Sequence, residues 1–486
     1  MTFTSPSFRF LAFIPFKKQQ QERRSSRENS SSSLRSSNAS KSSDSQNKPA
    51  CIAIIIGKDG VPVTKCITPA LRKRLDGTSL DPVKKQRRLS TLLLHTKFRS
   101  RSSSAKVVPF HNRFHQLPSE LFIQIAAYLD LASVLCLSRV SRYCYQMCGR
   151  YNNYLWHKLY LQQLGPIELR QELSYFAAYR DQYQLMMRWQ QGQAKSHYLT
   201  GHDDSVYCLV WVNSHQIISG SRDRSIKLWD IAENRCLVTR RHHQGSVLCL
   251  AMDPHGKFFI SGSSDATLIY WSLPDLVPQK RMEGHMNGVL DVCLVQQWVV
   301  SSSRDTTVRV WDLQGRQLHR LLGHNGPVNA LEHVQGTGQV ITASGDATLK
   351  LWDVQTGQCL RTFVGHQRGL ACLRYDPHHQ YIISGGQDGK IKVWDIKTAD
   401  CLHTMTGHSD LIRTIDTYKG TVVSGSYDRT LRVWNASTGD CLLSFHSVHS
   451  SWIFNVLISQ TKIISAGQDK KIMILDFGHG LGTILT

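Results

Sequence analysis

The chain has 486 residues, with 58 Lys and Arg against 36 Asp and Glu and a formal net charge of +22. That length admits two or three domains, and no stretch approaches the eighteen apolar residues of a transmembrane helix. The charge is uneven: residues 1–110 hold 22 basic and 6 acidic side chains, and the remainder holds 36 and 30, so the folded part is no electrostatic footprint for nucleic acid.

Residues 1–110 read as a basic, Ser-rich tail. From Lys17 to Asn47 hardly any residue could join a core, a composition that predicts disorder. The apolar run Phe8–Phe16 lacks a basic run before it and a small-residue cleavage site after it, against a secretory signal. A mitochondrial presequence is the alternative reading of that run. Cys51 to Ile56 is strand-like and has no assigned role. Arg72-Lys73-Arg74 and Lys84-Lys85-Gln86-Arg87-Arg88 are separated by nine residues. They resemble a bipartite nuclear-import signal, which predicts a nuclear protein with the cytoplasm as alternative location. The plainer alternative is a solvated charge run. Ser90 follows Arg87-Arg88-Leu89 and resembles a basophilic kinase site, where phosphate would offset adjacent charge. Any contact with nucleic acid belongs to this tail.

Residues 111–162 predict a small helical block. Pro118 suits a first helical turn, and Leu121, Ile125 and Leu129 recur at i, i+4 and i+8 as one apolar stripe. Asp130 is a candidate cap for a second helix carrying Val134, Leu135 and Leu137, and Ser141 for a third. Leu155-Trp156 through Tyr160 ends the block. About fifty residues cannot bury all these side chains alone, so part of the apolar surface is expected to meet a partner. The order Leu117-Pro118-Ser119-Glu120-Leu121, Tyr128-Leu129-Asp130, Leu137 to Arg142 and the Leu-Trp pair resembles the F-box. Tyr143, Cys144 and Tyr145 stand where that motif often has Trp. The resemblance implies docking on the adaptor of a cullin-based SCF ubiquitin ligase through Leu117, Pro118, Leu121, Ile125 and Leu129. The bland alternative is a helical cap packed within the chain.

Residues 163–193 predict a helical linker, with Leu169, Leu173, Phe176, Tyr183 and Met187 at helical spacing.

From residue 194 to 486 one pattern recurs seven times at about forty residues, the signature of a propeller. Six units carry a full set of four: His202, Ser219, Asp223, Trp229; His243, Ser261, Asp265, Trp271; His285, Ser301, Asp305, Trp311; His324, Thr342, Asp346, Trp352; His366, Ser384, Asp388, Trp394; His408, Ser424, Asp428, Trp434. The seventh has His449, Ser465 and Asp469, with Leu475 in place of Trp. Short alternating β-branched runs such as Val206 to Trp211 predict three strands per unit and a fourth after Trp-Asp. The last unit lacks its fourth strand, and Ala194 to Leu199 is fit to supply it and close the ring.

This pattern resembles the WD40 repeat family. The resemblance implies a seven-bladed β-propeller in which each set of four forms a buried hydrogen-bonded network. The His and Asp are therefore read as structural, one set per blade, and not as convergent metal ligands. The thirteen cysteines form no CxxC pair. Cys236, Cys359, Cys401 and Cys441 follow the repeat, as do Cys208, Cys249 and Cys372, which reads as packing in a reducing compartment.

F-box, linker and repeats in that order resemble the F-box/WD40 substrate receptors of the group containing beta-transducin-repeat-containing protein. In such proteins the linker holds the two parts in fixed relation. The resemblance implies a non-catalytic receptor that binds adaptor and cullin scaffold at one end and target proteins at the other, with no cofactor or metal. A WD40 scaffold of nuclear complexes outside any ligase is the rival reading. In this fold the top face gathers the residue before each Asp and the residue five after each His. Among these, Tyr207, Arg222, Arg304, Arg413, Tyr427 and Phe454, with Trp452 beside them, suit an extended peptide with acidic or phosphorylated residues. The arginines are spread over three blades, which argues against one tight phosphate pocket.

Overall fold

The structure is a computed structural model that describes residues 117–150, 152–164 and 174–482, with the backbone of two tail strands, β1 (Ile52–Ile56) and β2 (Pro62–Cys66). The two basic clusters, Ser90, Leu169 and Leu173 lie outside the described residues. Two compact units emerge, Cys66–Gln184 and Met1–Lys65 with Leu185–Thr486, and their boundary falls inside one helix.

The helical unit contains α1 (Ser119–Ala126), α2 (Leu131–Ser138), α3 (Arg142–Cys148), α4 (Asn153–Leu164) and the start of α5 (Tyr175–Gln191). Pro118 stands at the cap position of α1, one residue outside the first turn. Asp130 caps α2 by accepting from the Ser133 amide at 3.3 Å, and Ser141 caps α3 through the Cys144 amide at 3.1 Å. The core gathers Phe122, Ile123, Ala126, Leu131, Val134, Cys144, Leu155, Trp156 and Tyr179. Buried Trp156 donates its indole N–H to the Gly149 carbonyl at 3.0 Å. Gly149 has a steric reason: a Cβ there would sit 2.4 Å from the Tyr145 carbonyl oxygen.

The second unit is a seven-bladed propeller. Each blade is an antiparallel sheet of four consecutive strands, except at the seam and in blade six. At the seam, β3 (Lys195–Leu199) pairs antiparallel with Ile472–Asp476 and completes blade seven with the strand that precedes blade one. Blade six continues outward through β1 and β2 to six strands, which gives the uninterpreted run at residue 52 a place in the fold.

Apolar cores lie between successive blades, each pooling side chains of two neighbours. Leu199, Val206, Leu209 and Trp229 join Ile464 and Ile474 between blades seven and one. Between blades six and seven, Leu185 and Trp189 of α5 add to the core, and Trp189 stacks on Phe477 at 3.9 Å. Burying both faces explains the near-continuous apolar middle strands.

The cysteines divide. Cys208, Cys249 and Cys372 are buried, as packing requires, but Cys236, Cys359 and Cys401 on the outer strands are exposed. The packing reading is therefore corrected for the outer set: the outermost strand of a blade has no neighbour to bury its side chains. All cysteines of the described residues are free thiols.

Candidate functional sites: the propeller mouth and the α1 face

The set of four builds the top face of the propeller. In every blade the His Nδ1 lies 2.7–3.1 Å from its Asp and Nε2 lies 2.7–2.8 Å from the Ser or Thr hydroxyl. In six blades the Trp indole N–H donates to that hydroxyl at 2.7–2.9 Å. A neutral His with Nδ1–H satisfies the whole chain: it donates to Asp, and its Nε2 accepts from the hydroxyl that accepts from Trp. In blade seven buried Leu475 replaces the last donor, and His449 and Ser465 keep their bond. Burial opposes ionisation of Asp223, but hydrogen bonds from His202 and Ser225 outweigh it and hold the carboxyl below the usual range. The same balance holds Asp346 at about 2. Burial lowers His285, His324, His366 and His408, against the pull of their Asp partners.

This network fixes the turn that carries the residue before each Asp. In all seven blades that residue donates its backbone N–H to a loop carbonyl three residues after the blade His, as from Arg222 to Ser205 at 2.9 Å and Tyr427 to Leu411 at 2.9 Å. The residue five after the His has a different cause. It is the extra residue of a β-bulge at the start of every inner strand, between Val206 and Cys208 in blade one and between Ile412 and Thr414 in blade six. A bulge re-aims a side chain, and Tyr207, Leu248, Leu290, Asn329, Ala371, Arg413 and Phe454 all line one central channel of about 680 Å³.

Tyr207, Arg413, Tyr427, Trp452 and Phe454 are brought together where blades six, seven and one meet. Tyr207 and Phe454 are 5.0 Å apart, Tyr427 stacks flat on Trp452 at 4.5 Å, and Tyr427 meets Phe454 edge-on at 5.9 Å. Arg413 donates weakly to the Ala371 carbonyl at 3.4 Å, and its positive charge opposes the burial that pushes the Tyr427 phenol up in pKa. Phe454 is 6% exposed and Trp452 43%, so the cluster has a buried base and an open indole.

Arg222 and Arg304 are not part of it. Arg222 lies in a polar depression with Asp203, Arg224, Arg241 and His242, and its guanidinium is 3.7 Å from Asp204. Arg304 is exposed on blade three, two blades from Tyr207. Three arginines around one mouth thus become one arginine beside four aromatic rings.

Deeper in the channel a group appears that sequence reading missed. Arg374 bridges Glu332 at 2.9 Å and Asp416 at 3.2 Å, tying blades four, five and six. Asp291 accepts from the Leu331 amide at 2.9 Å and ties blade three to blade four. Burial pushes the Glu332 carboxyl up to about 7, against the pull of Arg374. The available signal was the inner-strand position two after the buried cysteines, where other blades carry Val210, Ala251 and Leu457. Among the described residues no group of three or more His, Cys, Asp and Glu is arranged to hold a metal ion.

The second site is one side of α1. Phe122, Ile123 and Ala126 face the core of the helical unit, while Leu121 and Ile125 are 48% and 52% exposed. Pro118 is exposed beside them. Leu129 turns inward and packs on the core, and Leu117 is half-buried, its carbonyl accepting from the Tyr143 hydroxyl at 3.0 Å. The single stripe expected from spacing is therefore split, because the helix ends at Ala126, before Leu129. Tyr128, 85% exposed, takes its place on the surface. Adjacent large apolar side chains left in water mark an interaction surface.

With both surfaces in view, the comparisons agree on architecture. The WD40 family (WD domain, G-beta repeat) matches residues 193–230, 234–272, 276–312, 315–353, 357–395 and 399–435, and the F-box-like family matches residues 114–162. This is a chain of the F-box/WD40-repeat type. Blade seven, which lacks its Trp, is outside the matched repeats. The chain is 28% identical over 215 residues to nuclear distribution protein PAC1-2 of Uncinocarpus reesii, covering 37% of this chain and 47% of that protein. It is 35% identical over 147 residues to the DENN domain and WD repeat-containing protein SCD1 of Arabidopsis thaliana, covering 30% of this chain and 12% of that one. The chain thus spans about half the length of PAC1-2 and less of SCD1. Among solved structures, the WD40 beta propeller domain of Doa1 matches with a TM-score of 0.53 and 27% identity, over 58% of this chain and 95% of that one. No helix among the described residues is long and apolar enough to cross a membrane.

Proposed function

We propose that this chain is the substrate-recognition subunit of an SCF-type ubiquitin ligase. The observation that carries the reading is the pairing, in one chain, of an F-box-like unit whose α1 leaves Leu121 and Ile125 in solvent with a propeller whose mouth presents an open aromatic cluster. The α1 face, through Pro118, Leu121, Ile125 and Tyr128, takes the adaptor, and the adaptor brings the cullin. The mouth holds a target peptide: Trp452 and Tyr207 receive an apolar or aromatic anchor, and Arg413 reads an acidic or phosphorylated residue beside it. The chain itself does no chemistry. Its contribution to rate is effective concentration, since holding the target on the assembly makes transfer to its lysines effectively unimolecular.

The test is affinity purification of the full chain. Adaptor and cullin should co-purify with the wild type, and Leu121→Asp with Ile125→Asp should reduce both at least a hundredfold with no change in melting temperature. Undiminished adaptor in the double variant would sink the reading.

Neither PAC1-2 nor SCD1 is named as a ligase subunit, which supports a second reading, a WD40 scaffold of nuclear complexes outside any ligase. Under it the same purification returns neither adaptor nor cullin. Nuclear location rests on the two basic clusters at 72–74 and 84–88. Replacing both with Gln should move a fluorescent fusion to the cytoplasm, and an unaltered distribution would remove that support.

A further inference from the structure

The outer strand of a blade is an open sheet edge, and blades one, four and five guard theirs with a lysine. Lys227 donates to Thr239 at 3.0 Å, Lys350 to Thr362 at 3.1 Å and Lys392 to Thr404 at 2.9 Å, each laying an ammonium group over the outer strand. Charge at that place disfavours pairing with a further strand. Blade six departs from this. Its corresponding residue is Arg432, whose Nε is buried without a hydrogen-bond partner among the described residues. Its outer strand, Cys441–His446, contains no Lys, Arg, Asp or Glu, as is also true of Cys401–Thr406 in blade five, so the two edges differ in the residue laid over them.

That strand is also covered. It pairs in parallel with β1, in a register from Ile52 opposite Leu443 to Ile55 opposite His446, and β2 extends the sheet beyond it. Ser444 holds the place that Thr404 holds in blade five, opposite Arg432 and Lys392 respectively. Thr404 is exposed, whereas Ser444 is 3% exposed. Leu443, 2% exposed, stands where blade five has half-buried His403.

We propose that the outer edge of blade six is a strand-binding site whose ligand is the chain's own strand Ile52–Ile56, docked in cis and anchoring the basic tail on the propeller. The mode is β-augmentation: main-chain hydrogen bonds supply the affinity, and an edge with no lysine ammonium laid over it supplies the selectivity for blade six over blade five, where Lys392 reaches Thr404. The segment suits the role. Ile-Ala-Ile-Ile-Ile is β-branched and uncharged, and such a sequence needs a partner edge to leave water.

The test is hydrogen exchange on the full chain, with blade five as internal control. In any outer strand, alternate amides face away from the sheet, and those exchange quickly when nothing pairs with them. In the wild type the outward amides of Cys441–His446 should exchange at least tenfold more slowly than those of Cys401–Thr406. Ile54→Pro removes a donor and blocks strand pairing. It should abolish the difference while leaving Cys401–Thr406 unchanged, which shows that the propeller is intact. A synthetic peptide of residues 50–67 added to that variant should restore protection. Equal exchange of the two strands in the wild type would overturn the proposal. So would protection that survives Ile54→Pro, or a peptide that restores none.

Discussion

In the helical unit, large apolar side chains on one side of α1 are in water and those on the other side are buried. In the propeller the three inner strands of each blade bury their apolar residues almost completely, the outer strands leave side chains such as Val277, Leu360 and Val364 in water, and the open aromatic residue at the mouth is Trp452. The difference follows from size and repetition. A block of some fifty residues cannot hide all its large side chains, so its function sits in what the fold leaves uncovered. Seven blades that share their cores hide nearly all but their outer strands, and function at the mouth is confined to positions where the repeat varies. The two units should also fail differently, and variants can test whether they do.

Acid should separate them most. Seven Asp carboxyls of the propeller are held below the usual range, so the stability they contribute is present above about pH 3.9 and lost as pH falls through their folded values. Six His are also held low. Below about pH 6.5 the unfolded chain takes up their protons first, and stability starts to fall there. The raised carboxyls of Asp291, Glu332 and Asp416 act the other way, losing their contribution as pH rises, but they are three groups against thirteen. The melting temperature of the propeller should therefore decline from about pH 6.5 and steeply below about pH 4. None of these groups belongs to the helical unit. Helical signal lost with the same profile as sheet signal would break the comparison.

Next in size is the tryptophan of a repeat. Trp394 is 1% exposed and donates to Ser384 at 2.9 Å. Trp394→Ala should cost about 3–5 kcal/mol, read as a lower denaturation midpoint with unchanged adaptor binding. Leu475→Ala, at the same place in the blade that already lacks the indole, should cost about 2–5 kcal/mol and leave no unpaired polar partner beyond those of the wild type. Equal effects on the Ser-His pairing in both blades would show that the indole donor is not part of the network.

These variants also show why some of the molecule was legible and some was not. The positions that recur, from His202 to Trp434, announce themselves by recurring, and the ring closure at Lys195–Leu199 follows from counting strands. Function sits where recurrence stops, and one sequence cannot tell a functional departure from drift. Arg222, Arg304 and Arg413 looked equivalent because each occupies a top-face register. Only the structure shows Arg413 on a bulge beside Tyr427, Arg222 opposite Asp204, and Arg304 two blades away. The Arg374 bridge and the tail strand on blade six stayed hidden for a related reason. Each joins parts of the chain through one-off residues, so no period points to them.

At the mouth, Trp452→Ala should weaken a target captured by the full chain by about 2 kcal/mol, some thirtyfold, as expected for an open aromatic anchor over a packed base. Arg413→Ala should cost about 1.5–3 kcal/mol if it pairs with an acidic group. Arg413→Lys should recover little of it where the contact is bidentate. Phosphatase treatment of the target separates the two residues, since it should leave the Trp452 effect and abolish that of Arg413.

The smallest effect should come from Arg222, and its smallness is the point. Its side chain is 59% exposed and lies 3.7 Å from the Asp204 carboxylate, which is itself 41% exposed. Surface pairs of this kind are worth about 0–1 kcal/mol, and Asp204 already meets part of the charge that a target would seek. Arg222→Ala should therefore change target affinity by less than about fivefold, most visibly at low salt, where exposed charges still steer association. Affinities of the Arg222 and Arg413 variants, measured in parallel at two salt concentrations, locate the recognition surface. A large, salt-insensitive loss at Arg222 would move it from the junction of blades six, seven and one to the depression between blades one and two. The aromatic cluster would then be packing, and the propeller, like the helical unit, would bind through side chains its fold leaves uncovered.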